Sequence, residues 1–186
     1  MIGELPKSLV VNGIEHPIRT DFRDILKIVC AFNDPELETE EKIYICLLII
    51  YEDFDTLQQS DYEEAYKSAV QFIDRGTKDE TPRNSPATLD WEQDEAIMFP
   101  AINKVAGFET RTAEYVHWWT FLGYFMEISE GVFSNVLSLR IKKAKKKKLE
   151  KWEREFWNAN KDICVIKPKL TAEERERKEK LNALLK

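Results

Sequence analysis

Apolar positions recur every third or fourth residue through most of this chain, and the one clear exception comes near its start. At residues 9–18, LVVNGIEHPI, β-branched residues flank Asn12-Gly13, the dipeptide that best tolerates the two positive φ angles of a type I′ turn. A small β-hairpin is expected there. In DFRDILKIVCAF, Phe22, Ile25, Ile28, Val29 and Phe32 share one helical face, and Asn33-Asp34-Pro35 ends the run. The next run, ETEEKIYICLLIIYEDF, sets Thr39, Glu40 and Glu41 at a helix start, where acidic charge suits the free N–H groups. Its apolar residues 43–51 predict a buried central helix. Ser60 and Glu63 have capping-box spacing and open a further helix with Tyr62, Tyr66, Ala69 and Ile73 facing inward.

Residues 76–88, GTKDETPRNSPAT, gather turn formers and predict a mobile loop, a hinge between two helical halves. The helix DWEQDEAIMFPAINKVAG follows, with Trp91, Met98, Ile102 and Val105 on one side, Pro100 expected to kink or interrupt it and Gly107 to cap it. From Thr112 the pattern TAEYVHWWTFLGYFMEI predicts a helix apolar around most of its circumference, leaving a narrow stripe of His117, Thr120, Gly123 and Glu127. A long basic helix is then expected over about residues 131–160. Thr171 and Glu174 cap a last charged segment that needs something to dock on. These elements predict an all-α fold: a multi-helix bundle with a small N-terminal β-hairpin and a long basic C-terminal helix. One domain, 1–168, would carry a charged extension, 169–186.

A length of 186 residues suits one domain with its own core, and 43% hydrophobic with 33% charged residues excludes a disordered polyelectrolyte. Cys30, Cys46 and Cys164 are scattered, without CxxC, which argues against a zinc site or a disulfide framework and suits a reducing cytoplasm. No basic-then-apolar leader is read at the start, and the longest apolar run is too short to span a bilayer. Charge is unevenly spread. Residues 132–169 hold twelve Lys and Arg against four Asp and Glu, a local +8 that leaves −14 to the remainder of a chain whose net charge is −6. An acidic body thus bears a basic arm, which its own body, a second copy or a polyanion could attract.

On one continuous helix, residues 140–157 place Leu137, Ile141, Ala144, Leu149, Trp152 and Phe156 on an arc of roughly 140°. Lys143, Lys146 and Lys147 project away from that arc, and Lys145 and Lys148 would lay their stems along it. The simplest reading is a solvated face. Nucleic acid is disfavoured because the run is rich in Lys and poor in Arg and turns Trp152 and Phe156 inward. A contact surface for an acidic protein partner is the functional alternative; a membrane-surface helix would lack a second anchor.

Candidate chemistry is sparse. Asp90, Glu92, Asp94 and Glu95 are the best candidates for a divalent-metal hydrolase, but acidic first turns also simply suit the helix dipole. His16 and His117 form no HxxxH pair, and His117 reads as a hydrogen-bonded core residue. No phosphate-cradling or nucleophile-elbow motif occurs. Trp118, Trp119, Phe121, Tyr124 and Phe125 read as core, or as an interaction patch wherever they are uncovered. No catalytic residue, cofactor or metal is expected.

Taken together, LDWEQDEAIMFPAINKVAGFE, EYVHWWTFLGYFMEI and VLSLRIKKAKKKKLEKWEREFW resemble the bacteriophage family named after gene product fifteen, found in tailed phages and prophages of Gram-positive bacteria. The shared pattern is an Asp-Trp helix start, an HWW-plus-aromatic helix and a lysine-filled helix, and it covers roughly residues 18–168. The resemblance implies a place in the tail gene module and a role as a tail assembly chaperone in the host cytoplasm. The implied partners are the tape-measure protein, a tail tube subunit or a second chaperone, with self-association another option. No catalytic residue carries over from the family. On that reading the partner-binding residues are Lys143, Lys146, Lys147 and Trp157, with the 76–88 loop beside them. A nucleic-acid-binding accessory protein of the same phage, using 140–157, is the runner-up, and a metal-dependent hydrolase using Asp94 and Glu95 stands third.

Overall fold

Asn12 and Gly13 both adopt positive φ, 49° and 86°, so β1 (Ser8–Val11) and β2 (Ile14–Pro17) fold back antiparallel with Val11 opposite Ile14. The computed structural model that shows this describes residues 3–75 and 87–184. Val11 and His16 face the core, whereas Val10 and Ile14 face solvent, the alternation a half-buried hairpin requires. Residues 76–86 of the expected hinge lie outside the described residues.

The first helix, α1 (Phe22–Phe32), starts at Asp21, whose carboxylate accepts the backbone N–H groups of Arg23 and Val116 and the Arg23 guanidinium. Burial pushes this carboxyl upward, but those hydrogen bonds outweigh it and hold the group below its ordinary value. The capping box of α2 (Thr39–Ile50) pairs Glu38 with Glu41. At its other end Arg19 donates to the carbonyls of Leu48, Ile49 and Tyr51, the orphan acceptors of the last turn. Cys46, Leu47 and Ile50 are fully buried, yet Tyr44 and Leu48 are about half exposed, so this helix is not buried on all sides as expected.

A short 3-10 turn, Gln59–Asp61, precedes α3 (Tyr62–Ile73) and shifts its start by one residue. The Ser60–Glu63 capping box therefore does not form; Asp61 takes the cap position, and the Ser60 hydroxyl turns to the Asp61 side chain. Ala69 and Ile73 are buried as the spacing predicts, joined by Ala65 and Phe72, while Tyr62 and Tyr66 pack at the core's edge.

Two further helices start later than their periodicity suggests. Asp90 accepts the N–H groups of Glu92 and Gln93 in a turn, so α4 (Glu95–Ala106) begins with Asp94 at its N-cap. Pro100 removes one helical N–H but does not interrupt α4, and Gly107 ends it at φ 78°, its N–H on the Asn103 carbonyl. Val105 is 38% exposed instead of facing inward. The aromatic helix α5 (Trp118–Met126) begins six residues after Thr112 because the preceding segment is spent in extended pairing: Phe22 N–H donates to Val116, Trp118 N–H to Thr20, and Asp21 bridges His117. His117 serves as its N-cap, Nδ1 accepting the Trp119 N–H and Nε2 donating to the Pro6 carbonyl.

Phe22 stacks on Phe121 at 4.2 Å, and Phe99, Trp91 and Trp118 close around that pair, so α1, α4 and α5 share one aromatic core. Beyond it lie α6 (Val132–Ala144), α7 (Lys151–Ala159), α8 (Lys161–Cys164) and α9 (Ala172–Leu184). The fold is all-α apart from the hairpin. The long basic helix expected over 131–160 is two helices: the chain leaves α6 after Ala144 and re-enters helix at Lys151. This break positions the candidate site.

Candidate interaction site

Phe133, Val136 and Leu139 pack α6 against the body, and the same face buries Arg140. All five N–H groups of its guanidinium are placed. Nε donates to the Cys164 carbonyl at 2.9 Å; Nη1 reaches Asp94 Oδ2 at 2.6 Å and the Thr88 carbonyl at 3.2 Å; Nη2 reaches Asp94 Oδ1 at 2.8 Å and the Ile163 carbonyl at 2.6 Å. A bidentate pair of this kind needs the planar fork of arginine. One side chain thereby ties α6, the end of α8, the start of α4 and the segment after residue 86 into one unit. Asp94, offered by the sequence as a metal ligand, is spent in this clamp and on the Asp90 N–H. Of its expected companions, Glu92 pairs with Lys169 and Glu95 lies 3.9 Å from Arg111.

One turn past Arg140 the helix ends in a Schellman arrangement. Lys146 N–H donates to Lys143 O and Lys147 N–H to Lys142 O, both at 2.9 Å. The residue that turns the chain, Lys146, sits at φ 53°, where glycine is usual. The chain reverses and Glu150 opens α7 in a capping box with Glu153. Glu153 also takes the ammonium of Lys142, which with the Glu150 N–H holds its carboxyl below the ordinary glutamate value. These bonds fix the angle of the corner.

Inside that corner, Lys143, Lys146, Lys147, Lys148, Arg154 and Trp157 line a cavity of about 410 Å³. Lys143 Nζ lies 4.1 Å from the centroid of the Trp157 ring, a cation–π contact. Among the described residues, Lys146, Lys147, Lys148 and Arg154 have no carboxylate within ion-pair distance. All four sequence-proposed partner residues, Lys143, Lys146, Lys147 and Trp157, therefore meet in one place. Lys148 was missed because a straight helix puts it on the apolar side; Arg154, which a straight helix places on the same face as Lys143, was not singled out. Trp152, expected to point inward, is 56% exposed, and Phe156 is half-buried; the break after Ala144 rotates α7 out of register with α6.

The corner and the clamp both lie within the part of the chain that comparison with known families recognises. A family model described as Bacteriophage Gp15 protein matches residues 1–165. The chain belongs to the bacteriophage Gp15 protein family. Membership points to a structural or morphogenesis protein of a phage. The family match takes in the N-terminal hairpin, which the sequence resemblance left out, and ends after α8, so α9 lies beyond it. Neither a curated protein nor a solved structure matches the chain.

Proposed function

We propose that this Gp15 family protein acts by binding, not catalysis, in phage tail morphogenesis. It serves as a tail assembly chaperone in the host cytoplasm, and its α6–α7 corner holds an acidic segment of the tape-measure protein or of another tail subunit. The observation that supports this reading is the convergence of Lys143, Lys146, Lys147, Lys148 and Arg154 on Trp157 without carboxylate partners among the described residues. The C-terminal dipole of α6 accommodates cations at about 0.3–1 kcal/mol each, which explains why the fold tolerates them. It does not explain why they line a cavity around an aromatic ring. That arrangement supplies charge for an acidic segment and an anchor for an apolar side chain beside it.

Size-exclusion chromatography with light scattering tests the reading, on the protein alone, with tape-measure fragments and with duplex DNA, at low and physiological salt. Co-elution with the fragments, lost in a K143E/K146E/K147E variant, is expected. Binding to DNA alone, falling steeply with salt, would replace the chaperone by a nucleic-acid-binding role.

A further inference from the structure

The run IYICLLII makes α2 apolar around its whole circumference, and α1 and α3 cover only part of it. Tyr44 is 49% and Leu48 46% exposed, one turn apart on the uncovered face. Next to them Leu37, Tyr44, Ile45 and Tyr62 line an open groove of about 610 Å³, with exposed Glu40 and Glu41 on its lip. Phe54 packs edge-on to Tyr44 and against Tyr62, so the aromatic walls are held in place.

A complementary surface occurs elsewhere on the same chain. Trp152 projects from α7 with more than half its surface exposed, preceded by exposed Lys148 and Lys151. It stands five positions before Trp157, about 140° away around the helix, and does not line the basic cavity. We infer that Trp152 of one copy inserts into the α2 groove of a second copy, with Lys148 and Lys151 set against Glu40 and Glu41. The groove is apolar with an acidic lip and the projecting ring is apolar; Lys148 and Lys151 match the lip in charge whereas exposed Glu150 and Glu155 do not, so the basic arm's local +8 against an acidic body carries the electrostatic match. The two surfaces belong to different parts of the fold: α2 packs on α1 and α3, whereas α7 packs on α6 and α8. Two such contacts made reciprocally give a two-fold dimer, and one repeated head to tail gives a ring or a filament. The contact draws on Lys148, which also lines the Lys143–Trp157 cavity, but self-association is read with no tail protein present, so it stands whether or not that cavity binds one.

The test is light scattering and sedimentation of the purified full chain across a range of concentration and salt. Mass above that of one copy, rising with concentration and falling with added salt, is expected. W152A and the groove variant E40K/Y44S each weaken self-association by at least about thirtyfold, with unchanged circular dichroism. A charge exchange guards against a folding artefact: K148E/K151E alone stays a single copy, and mixing it with E40K recovers assembly. A parent chain that remains a single copy throughout overturns the inference, as does assembly that survives either W152A or E40K/Y44S.

Discussion

Arg140 and Lys143 are one turn apart on α6 and carry the same charge, yet the fold treats them in opposite ways. Arg140 is 5% exposed, and every N–H of its guanidinium has a partner. Lys143 is exposed, lies over the Trp157 ring and shares its cavity with four further cations. The difference follows from side-chain chemistry. A guanidinium offers five directed donors and can be buried when all are met; an ammonium is a strongly hydrated point charge that burial penalises. A single basic run is thus divided into a structural clamp and an open surface, and the boundary between them falls in the last turn of α6.

The largest predicted effect tests the clamp. Arg140→Met leaves Asp94 buried without its cation and should lower unfolding free energy by about 3–5 kcal/mol in denaturant titrations. Adding Asp94→Leu should recover part of that loss, because the orphaned charge is then gone. Arg140→Lys should also destabilise, since one ammonium cannot replace the bidentate fork; a variant as stable as the parent would remove the distinction between the two regions.

The corner should respond differently. Lys146→Gly relieves a positive φ at the turn and should stabilise the protein by roughly 1 kcal/mol in the same titration. A loss of stability there would mean that the Lys146 side chain holds the corner together.

Acid separates the regions further. The hydrogen bond from Lys142 holds Glu153 below the ordinary glutamate value of 4.5. Its contribution is fully present above that pH and fades as pH falls through the lowered value. Glu109, held at about 2 mainly by Arg111, and Asp21 act with the same sign. Tryptophan fluorescence should therefore report loosening of the α6–α7 corner as the pH is lowered below about 4, and a flat signal down to pH 2 would contradict the role given to Glu153.

The smallest stability effect belongs to a surface lysine. Replacing Lys148, which lies past the end of α6 and has no carboxylate partner among the described residues, by Gln should change unfolding free energy by less than about 0.5 kcal/mol.

Local patterns in the sequence announced local structure well. Asn12-Gly13 specified the hairpin turn, Asn33-Asp34-Pro35 the end of α1 and Gly107 the end of α4, each by a backbone preference confined to a few residues. What escaped depended on distant partners or on the absence of a local mark. Asp94 meets Arg140 across 46 positions, and no pattern near either residue announces it. The break after Ala144 carries neither Gly nor Pro; a lysine takes the left-handed turn, so periodicity ran straight through it. The late start of α5 follows from extended pairing of residues near 117 with residues near 21, contacts formed only once the chain has folded. The candidate site was legible as a list, since Lys143, Lys146, Lys147 and Trp157 were all named, but not as a concavity. The concavity exists only because the helix breaks.

The most direct measurement is a calorimetric titration of tape-measure fragments into the parent and into K143E/K146E/K147E, with melting midpoints recorded for both. Binding by the parent, a loss of at least tenfold in the variant and a melting midpoint only a few degrees lower, from the lost dipole and cation–π contacts, are expected. Equal affinity in the two proteins would contradict the binding role of the α6–α7 corner and leave it a solvated turn.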